Sequence, residues 1–280
     1  MWHGSGSVDV SGGTVVNTAE ATFLDKGQTV TVTVDGSKGA QLNPANGILF
    51  QVIENDDPGS TTGVFTVPTT VPTKNDSFDV TSKDGGATAT FANITLKGDF
   101  FNAFRGDTSS TGAAPGGAGA PPSGGTPPSG AAGGTPPSGG PGGTPPSGGA
   151  PPSGGMPGGG SAGGLNMVLT FDKADLTGMI SASTAKYADG ITTIDATNYK
   201  QLGTVTNTAS AAVNNGAIVE LKNGSTWTLT GTCYLTSLTI SADSTVTAAS
   251  GKTVTMTVDG TATPIEPGKT YTGAVVLTVQ

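Results

Sequence analysis

A short apolar motif recurs on both sides of a long Gly/Pro-rich segment. Residues 91–98 read FANITLKG and residues 171–178 read FDKADLTG, so the pattern Phe-x-x-(Ile/Ala)-x-Leu-x-Gly occurs twice. A looser third copy, residues 221–231, reads LKNGSTWTLTG, with extra residues near its start. Self-similarity of this kind predicts repeated structural units that bury the same side chains in each copy.

The spacing of the copies indicates the kind of repeat. Gly98 and Gly178 are 80 residues apart, but about 58 of these belong to or flank the Gly/Pro-rich segment, which leaves about 22. Gly178 and Gly231 are 53 residues apart, about two periods of 26. Periods in the twenties are typical of stacked repeats, each of which buries its apolar face against its neighbours. The sequence therefore predicts an all-β chain and favours a parallel β-helix (β-solenoid), with a β-sandwich as the alternative.

Strand patterns occur near both ends of the chain. Residues 29–34 read TVTVTV and residues 253–258 read TVTMTV, and strict alternation puts one set of side chains on each face of a strand. Trp227, aligned with Ile94 and Ala174, is expected to pack inside, as is Cys233. The side chains predicted to point inward are Ile94, Leu96, Leu176, Leu229, Val254 and Val258.

The Gly/Pro-rich segment divides the chain. Residues 108–164 hold 22 of the 46 glycines and 13 of the 19 prolines, and such a composition cannot bury enough apolar surface to form a core. We expect a disordered loop insertion between two parts of one solenoid, residues 8–107 and 165–280, after a flexible start at 1–7. A linker between independent domains is the alternative. Phe100, Phe101, Phe104 and Arg105 are expected to plug the interior where the loop leaves.

Composition excludes several classes of protein. The formal net charge is −8 with only 12 Lys and Arg, which argues against a nucleic-acid binder. No apolar run approaches the length that spans a membrane. The single cysteine, Cys233, cannot form an internal disulfide, and the single histidine, His3, lies in a Gly/Ser-rich start. Cofactor chemistry is not expected.

Acidic residues offer no convincing catalytic pair. Asp172 and Asp175 are three apart, so in a strand they point to opposite faces, whereas glycoside hydrolysis needs two carboxyl groups at a set separation. Glu54, Asp56 and Asp57 form the densest acidic run and are the candidate Ca²⁺ ligands. A solvated surface turn is the favoured interpretation of this run, because Pro and Gly follow it. No enzyme activity is expected.

Two tyrosines are candidates for contact with a glycan. Tyr187 and Tyr199 lie in polar, turn-rich surroundings, where an aromatic ring can stay exposed and stack on a sugar. Their surroundings predict that both side chains are accessible to solvent.

The chain resembles a group of bacterial cell-surface β-helix proteins. The likeness rests on residues 166–181 (NMVLTFDKADLTGMIS), the Ala-Asp-Gly at 188–190 and residues 251–260 (GKTVTMTVDG), with Tyr271-Thr272-Gly273. These proteins are adhesin-like, similar to autotransporter passenger domains, and are often labelled carbohydrate-binding. The resemblance implies a right-handed β-helix on the cell surface and carries over no catalytic residue.

The expected function is structural. A stack of repeats ends in open strand edges that invite further stacking, so we expect a self-assembling fibre subunit or an adhesive stalk. A carbohydrate-binding surface module is the first alternative, and a polysaccharide-degrading β-helix enzyme the second. The expected head-to-tail contacts between copies are Val8, Val10, Val275, Val276 and Leu277. Abundant Thr, Ser, Asn and Gly favour an extracellular or cell-surface location, although no export signal is recognisable in the sequence.

Overall fold

The computed structural model describes residues 6–56, 64–66, 73–105 and 164–280 of the 280-residue chain. These residues are organised as β-strands, with a 3-10 turn at Tyr199–Gln201. Within these ranges no helix has the length and apolar character needed to cross a membrane. The prediction of an all-β chain is confirmed.

The strands of the described residues are short, and most have four to six residues. They are β1 (Gly6–Val10), β2 (Val15–Thr18), β3 (Phe23–Lys26), β4 (Val30–Asp35), β5 (Gln41–Pro44), β6 (Ile48–Ile53), β7 (Phe65–Thr66), β8 (Ala87–Ala92), β9 (Thr95–Lys97), β10 (Asp99–Ala103), β11 (Met167–Asp172), β12 (Asp175–Thr177), β13 (Ile180–Tyr187), β14 (Thr193–Ile194), β15 (Val205–Ala209), β16 (Ala217–Lys222), β17 (Thr226–Leu229), β18 (Cys233–Ile240), β19 (Thr245–Ala248), β20 (Val254–Val258), β21 (Thr261–Ala262) and β22 (Lys269–Val279).

Three sheets collect corresponding strands from successive repeats. Sheet 1 has the order β1-β4-β8-β11-β16-β18-β22-β20-β21, and its pairs are parallel from β1 to β18. Sheet 2, β9-β12-β17-β19, is parallel throughout. Sheet 3, β3-β6-β10-β13-β15, is parallel except for its last pair. Two smaller sheets are the parallel pair β2-β5 and the antiparallel pair β7-β14.

The strand register bears out the first two copies of the motif. Phe91 pairs with Phe171, and Leu96 pairs with Leu176, so the two segments on either side of the insert are neighbours in the same sheets. The predicted alignment of the third copy is wrong by two residues. Leu176 pairs with Trp227 and not with Leu229, because the chain gains only one residue between the two strands of that repeat.

The interior is built from equivalent apolar side chains stacked across repeats. The Phe91 and Phe171 rings are stacked with centroids 5.6 Å apart, and Phe100 meets both rings edge-on. Trp227 is fully buried, and its indole N–H donates to the carbonyl of Gly178 at 3.0 Å. Burial also raises the pKa of the Cys233 thiol to about 12, as expected for an inert core cysteine.

Of the six side chains predicted to point inward, four are buried and two are half-buried. Ile94, Leu96, Leu176 and Leu229 are buried. Val254 and Val258 pack against the core but are only half-buried, because β20 lies near the outer end of sheet 1, beside the short strand β21. Phe100, Phe101, Phe104 and Arg105 are all buried where β10 ends, as predicted.

A tight corner between sheets 1 and 2 repeats with the same backbone geometry. Asn93, Lys173 and Asn223 have φ of 52°, 51° and 52°, a left-handed conformation that Asn tolerates better than most residues. The corners are stacked, since the N–H of Asn93 donates to the carbonyl of Asp172 and that of Lys173 to the carbonyl of Lys222. The repeat is therefore encoded in backbone conformation as well as in apolar spacing.

The end of the stack formed by the last strands is covered. β22 lies between β18 and β20 and is antiparallel to both. Val275 and Leu277 are fully buried there, so the expectation that these two form an open end-to-end contact is wrong; Val276 is half-buried, and its part in such a contact stays a prediction. At the other end, Val8 and Val10 are half-buried in β1, whose partner among the described residues is β4.

The predicted boundaries are met in part. The chain is already in β1 at Gly6, so the expected flexible start at 1–7 overlaps a strand; residues 1–5 lie outside the described part. The predicted loop insertion, 108–164, lies outside the described residues except for Gly164. β8 and β11, which precede and follow that segment, are adjacent strands of sheet 1.

Candidate functional site

Three long segments of the chain, called excursions below, connect strands of sheet 3 to strands of sheet 1. The aligned strands β6, β10 and β13 end at Ile53, Ala103 and Tyr187, and the chain returns to sheet 1 at β8, β11 and β16. The excursions are residues 54–86, 104–166 and 188–216; residues 57–63, 67–72 and 106–163 lie outside the described part, and the third excursion includes β15 of sheet 3. Because Val52 pairs with Asn102 and Asn102 pairs with Ala182, the three strands run side by side; β6 and β10 end level with Ser183, and β13 continues to Tyr187.

A buried group of charged and polar side chains joins the beginnings of these excursions. This corner cluster consists of Lys26 at the end of β3, Glu54 and Asp56 after β6, Arg105 after β10, and Tyr187 at the end of β13. Lys26, Asp56 and Tyr187 are at most 2% exposed, and the side chain of Arg105 is fully buried. Each strand that reaches this edge therefore contributes to one shared polar contact.

Asp56 is the centre of the corner cluster. Its Oδ1 lies 2.5 Å from Nζ of Lys26. Its Oδ2 accepts hydrogen bonds from the Tyr187 hydroxyl at 3.0 Å, the backbone N–H of Gly203 at 2.8 Å and Nη1 of Arg105 at 3.4 Å. Burial opposes ionisation of Asp56, but the charges of Arg105 and Lys26 outweigh it and hold the pKa of Asp56 below its usual value.

Arg105 connects the two acidic groups. Its Nε lies 3.1 Å from Oε2 of Glu54, its backbone N–H donates to Oε1, and Nη2 donates to the Glu54 carbonyl at 2.8 Å. The guanidinium also lies 5.2 Å from the centre of the Tyr187 ring, within range of a cation–π contact. Burial disfavours the charged guanidinium, but Glu54, Asp56 and Tyr187 outweigh this effect and raise the pKa of Arg105.

The cluster changes the interpretation of the acidic run. The expected solvated turn is wrong for Glu54 and Asp56, because Arg105 and Lys26 occupy their oxygens and Asp56 is fully buried. Asp57 lies outside the described residues. Among the residues that the structure describes, no three His, Cys, Asp or Glu side chains lie close enough together to hold a metal ion. Lys26 and Arg105 therefore contact the carboxylate oxygens that the sequence suggested as Ca²⁺ ligands.

The two glycan candidates have different environments. Tyr187 is 2% exposed, so the expectation that it is accessible is wrong: Tyr187 pairs with Val205 of β15, and its hydroxyl is used by Asp56. Burial raises the pKa of that hydroxyl. Tyr199 is 57% exposed and begins the 3-10 turn of the third excursion. Of the two rings, only that of Tyr199 has a face available to a ligand.

Buried asparagines hold the described parts of the excursions against the stack. Asn166 donates to the carbonyls of Asp79 and Ser82 at 2.8 and 2.9 Å, which fixes the end of the first excursion. Asn214 donates to the carbonyl of Thr73 at 2.9 Å, joining the third excursion to the first. The antiparallel pair β7-β14 connects the same two excursions. Sequence reasoning did not find these residues, since a single Asn carries no signal of a distant backbone partner.

A shallow cleft lies among the last strands of the chain. Its volume is about 650 Å³, and it runs between β19 and the connection after β21. Its walls are mainly small and aliphatic, including Val246, Met256 and Ile265, and Lys252 is its charged residue. No aromatic ring lines the cleft, so it lacks the stacking surface that sugar sites commonly use.

The corner cluster is a set of paired, largely buried charges. Lys26 pairs with Asp56, and Arg105 pairs with Glu54 and Asp56. Comparison with known proteins gave no match: no family model, curated protein or solved structure is significantly similar to the chain.

Proposed function

We propose that the chain folds as a right-handed parallel β-solenoid. The support is the strand pairing, in which corresponding strands of successive repeats are parallel and in register within each of three sheets. A β-sandwich, the alternative, is built from antiparallel neighbours. The right hand follows the strong preference of parallel crossover connections. In this architecture β1 to β3 form the first coil and β4 to β6 the second.

On this scaffold we base a function: a non-catalytic structural protein of the bacterial cell surface, acting as an adhesive stalk. One observation carries the proposal, namely that the ends of three neighbouring strands, β6, β10 and β13, and the residues that follow them share a buried ionic anchor in the corner cluster. A rigid stack that fixes long loops at one corner is well suited to presenting them to a partner. The other connections between sheets are short, so presentation is concentrated at this corner.

The acidic residues also favour a structural role over polysaccharide degradation. The one dense group of carboxylates is neutralised by Arg105 and Lys26, whereas a general acid needs a carboxyl group that meets substrate with a raised pKa. Asp25 does have a raised pKa, but it is buried and 3% exposed. We infer that neither group contacts a polymeric substrate.

Immunogold labelling of cells that make the protein tests the proposal. We expect gold on the outer surface, and release of the antigen when intact cells are treated with protease. Label confined to the cytoplasm would overturn the surface role. Purified full chain added to pectin, alginate or cell-wall glycan should leave the viscosity and reducing ends unchanged; a sustained release of oligosaccharides would instead support an enzyme.

We still propose that copies of the chain can associate, but through sheet edges and not through Val275 and Leu277. Among the described residues the outermost strands of the three large sheets are β1 and β21, β9 and β19, and β3 and β15, while Val275 and Leu277 are buried inside the chain. Light scattering at high concentration distinguishes the two roles. Filaments support a fibre subunit, and a stable monomer leaves the single-chain stalk.

Tyr199 supports carbohydrate binding as a second candidate function. Its ring is exposed on the third excursion, beside the corner cluster, where a glycan could stack on it. A glycan array with the full chain tests this idea. Binding that is lost in Tyr199→Ala and kept in Tyr199→Phe supports it, because Phe retains the ring. An array without hits removes it.

A further inference from the structure

The corner cluster brings a primary amine against a carboxyl group inside the protein. Nζ of Lys26 lies 2.5 Å from Oδ1 of Asp56, and the two side chains are 2% and 0% exposed. Lys26 ends β3 and pairs with Ile53, the last residue of β6, and Asp56 follows Ile53 by three residues. Proximity and exclusion of water are the two conditions that make an amide from an amine and a carboxylic acid accessible.

The second oxygen of Asp56 is surrounded by hydrogen-bond donors. The Tyr187 hydroxyl, the Gly203 N–H and the Arg105 guanidinium all donate to Oδ2, at 3.0, 2.8 and 3.4 Å. A set of fixed donors around one carboxyl oxygen stabilises the negative charge that develops there when a nucleophile attacks the carbon. Oδ1, on the side of the amine, is then the oxygen that leaves.

The charges of the cluster allow the amine and the acid to be consumed together. Lys26 and Asp56 carry one positive and one negative charge, and Glu54 neutralises Arg105 through contacts to both carboxylate oxygens. Removal of the Lys26–Asp56 pair therefore leaves Arg105 and Glu54 balanced. It also removes two buried charges, whose desolvation is costly even when they are paired.

We propose that Lys26 and Asp56 form an intramolecular isopeptide bond between Nζ and Cγ. A proton passes from the Lys26 ammonium to Oδ1 of Asp56, an uphill step because Arg105 favours the ionised carboxylate, and gives a neutral amine and a neutral acid. The amine lone pair attacks Cγ, and the three donors hold the resulting charge on Oδ2. The Cγ–Oδ1 bond breaks, and Oδ1 leaves as water with two protons that came from nitrogen. One amide and one water molecule are formed, with no oxidant or reductant.

The bond joins the first coil to the second at an exposed end of the stack. β3 is the outermost strand of its sheet, with β6 as its one partner there, and such edge strands are the first to detach. A covalent link between Lys26 and Asp56 closes a loop through β4, β5 and β6 and restricts the unfolded chain, as a disulfide does. It would suit a protein whose single cysteine excludes an internal disulfide.

Intact mass spectrometry of the full-length chain tests the proposal directly. We expect a mass lower than that of the sequence by one water molecule. Trypsin should then fail to cleave after Lys26 and should release residues 1–38 joined to residues 39–74 as one branched peptide. Tandem fragmentation of that peptide locates the link between Lys26 and Asp56.

Two matched variants distinguish this bond from dehydration elsewhere. Lys26→Arg keeps the positive charge but has no amine, so it should recover the full mass and yield separate peptides. Lys38→Arg, a change at another lysine, should keep the loss of water. If Lys26→Arg does not fold, the peptide map of the unmodified chain decides alone. Full mass in the folded wild-type chain, with cleavage after Lys26, overturns the proposal.

Tyr187→Phe tests the role of the donors around Oδ2. The hydroxyl is removed while the ring under Arg105 is kept. We expect freshly made Tyr187→Phe protein to lose water at least 10-fold more slowly than wild type, followed as the ratio of the two masses over time. An unchanged rate in a chain that does form the bond would assign Tyr187 a packing role only.

Discussion

At the scale of single residues, Asp25 is the acid whose environment most opposes its charge. It is 3% exposed, and its Oδ2 has no hydrogen-bond partner among the described residues. Burial raises its pKa to about 7, although the N–H groups of Gln28 and Lys26 partly counteract the effect. The folded protein therefore holds a proton on Asp25 at a pH where the unfolded chain has lost it.

The pH dependence of stability follows from this raised pKa. Between about pH 4 and pH 7 the native state binds more protons than the unfolded state, so the free energy of unfolding falls as the pH rises through this window. Asp25→Asn removes the ionisation, and we expect it to stabilise the protein at pH 8 by about 1–4 kcal/mol. At pH 4 the variant should differ little from wild type. Urea denaturation at both pH values measures the difference.

Asp9→Asn provides the control for Asp25→Asn. Asp9 is exposed in β1, so Asp9→Asn removes the same negative charge from the protein surface and not from a buried site. Its effect on the free energy of unfolding should stay within about 0.5 kcal/mol at both pH values. If Asp25→Asn is less stable than wild type at pH 8, the charged form of Asp25 is well solvated in the folded protein.

Single residues differ in whether their burial can be predicted from the sequence. Leu96 and Leu176 report their own burial, because an apolar side chain at a repeated position has few alternatives, and both were predicted correctly. Tyr187 and Asp56 do not report their own burial, because each forms part of the other's surroundings although they are 131 residues apart in the sequence. An acidic run beside Pro and Gly looks solvated until Arg105 and Lys26 are brought to it by the fold.

At the scale of strands and corners, Gly36 shows why the turn after β4 lacks a side chain. A Cβ at this position would lie 2.4 Å from the carbonyl oxygen of Asn93 and 2.8 Å from Cβ of Ile94. The stacked corners of the two repeats leave no space, and the obstacle is backbone that cannot rotate away. We expect Gly36→Ala to destabilise the protein by about 1–3 kcal/mol, measured by chemical denaturation.

Gly13→Ala is the matched control for the corner. A Cβ there would have one neighbour, the Lys38 carbonyl at 3.7 Å, which is an ordinary contact. Its free energy of unfolding should therefore change by less than about 1 kcal/mol. Equal effects of the two substitutions would mean that the corner between β4 and β8 can spread to accept a methyl group.

Elements that break the repeat were the hardest to anticipate. The motif fixes which strands are equivalent, and it located β9 and β12 correctly from their Leu-x-Gly endings. It contains no information on the excursions, whose positions depend on buried amides such as Asn166 and Asn214 that bond to distant carbonyls. The antiparallel pairing of β22 is likewise outside the repeat, so the apolar end of the chain was interpreted as an open edge.

At the scale of the whole molecule, the two ends of the stack differ. β1 leaves one edge without a partner among the described residues, whereas β22 and β20 cover the edge of β18. Val275 and Leu277 turn inward from β22 and contact the main core. Covering one end limits how copies of the chain can associate, since an uncovered parallel edge would accept strands from another molecule.

Leu277→Asp tests whether β22 acts as this cover. A carboxylate placed at a fully buried position of the core should detach β22 and cost more than about 3 kcal/mol of stability. The exposed edge of β18 and the apolar interior would then drive association, seen by size-exclusion chromatography with light scattering as species larger than wild type. Thr272→Asp adds the same charge at an exposed site of the same strand and should elute as wild type does. A Leu277→Asp chain that unfolds earlier but never associates would mean that β22 stabilises the core without protecting the edge.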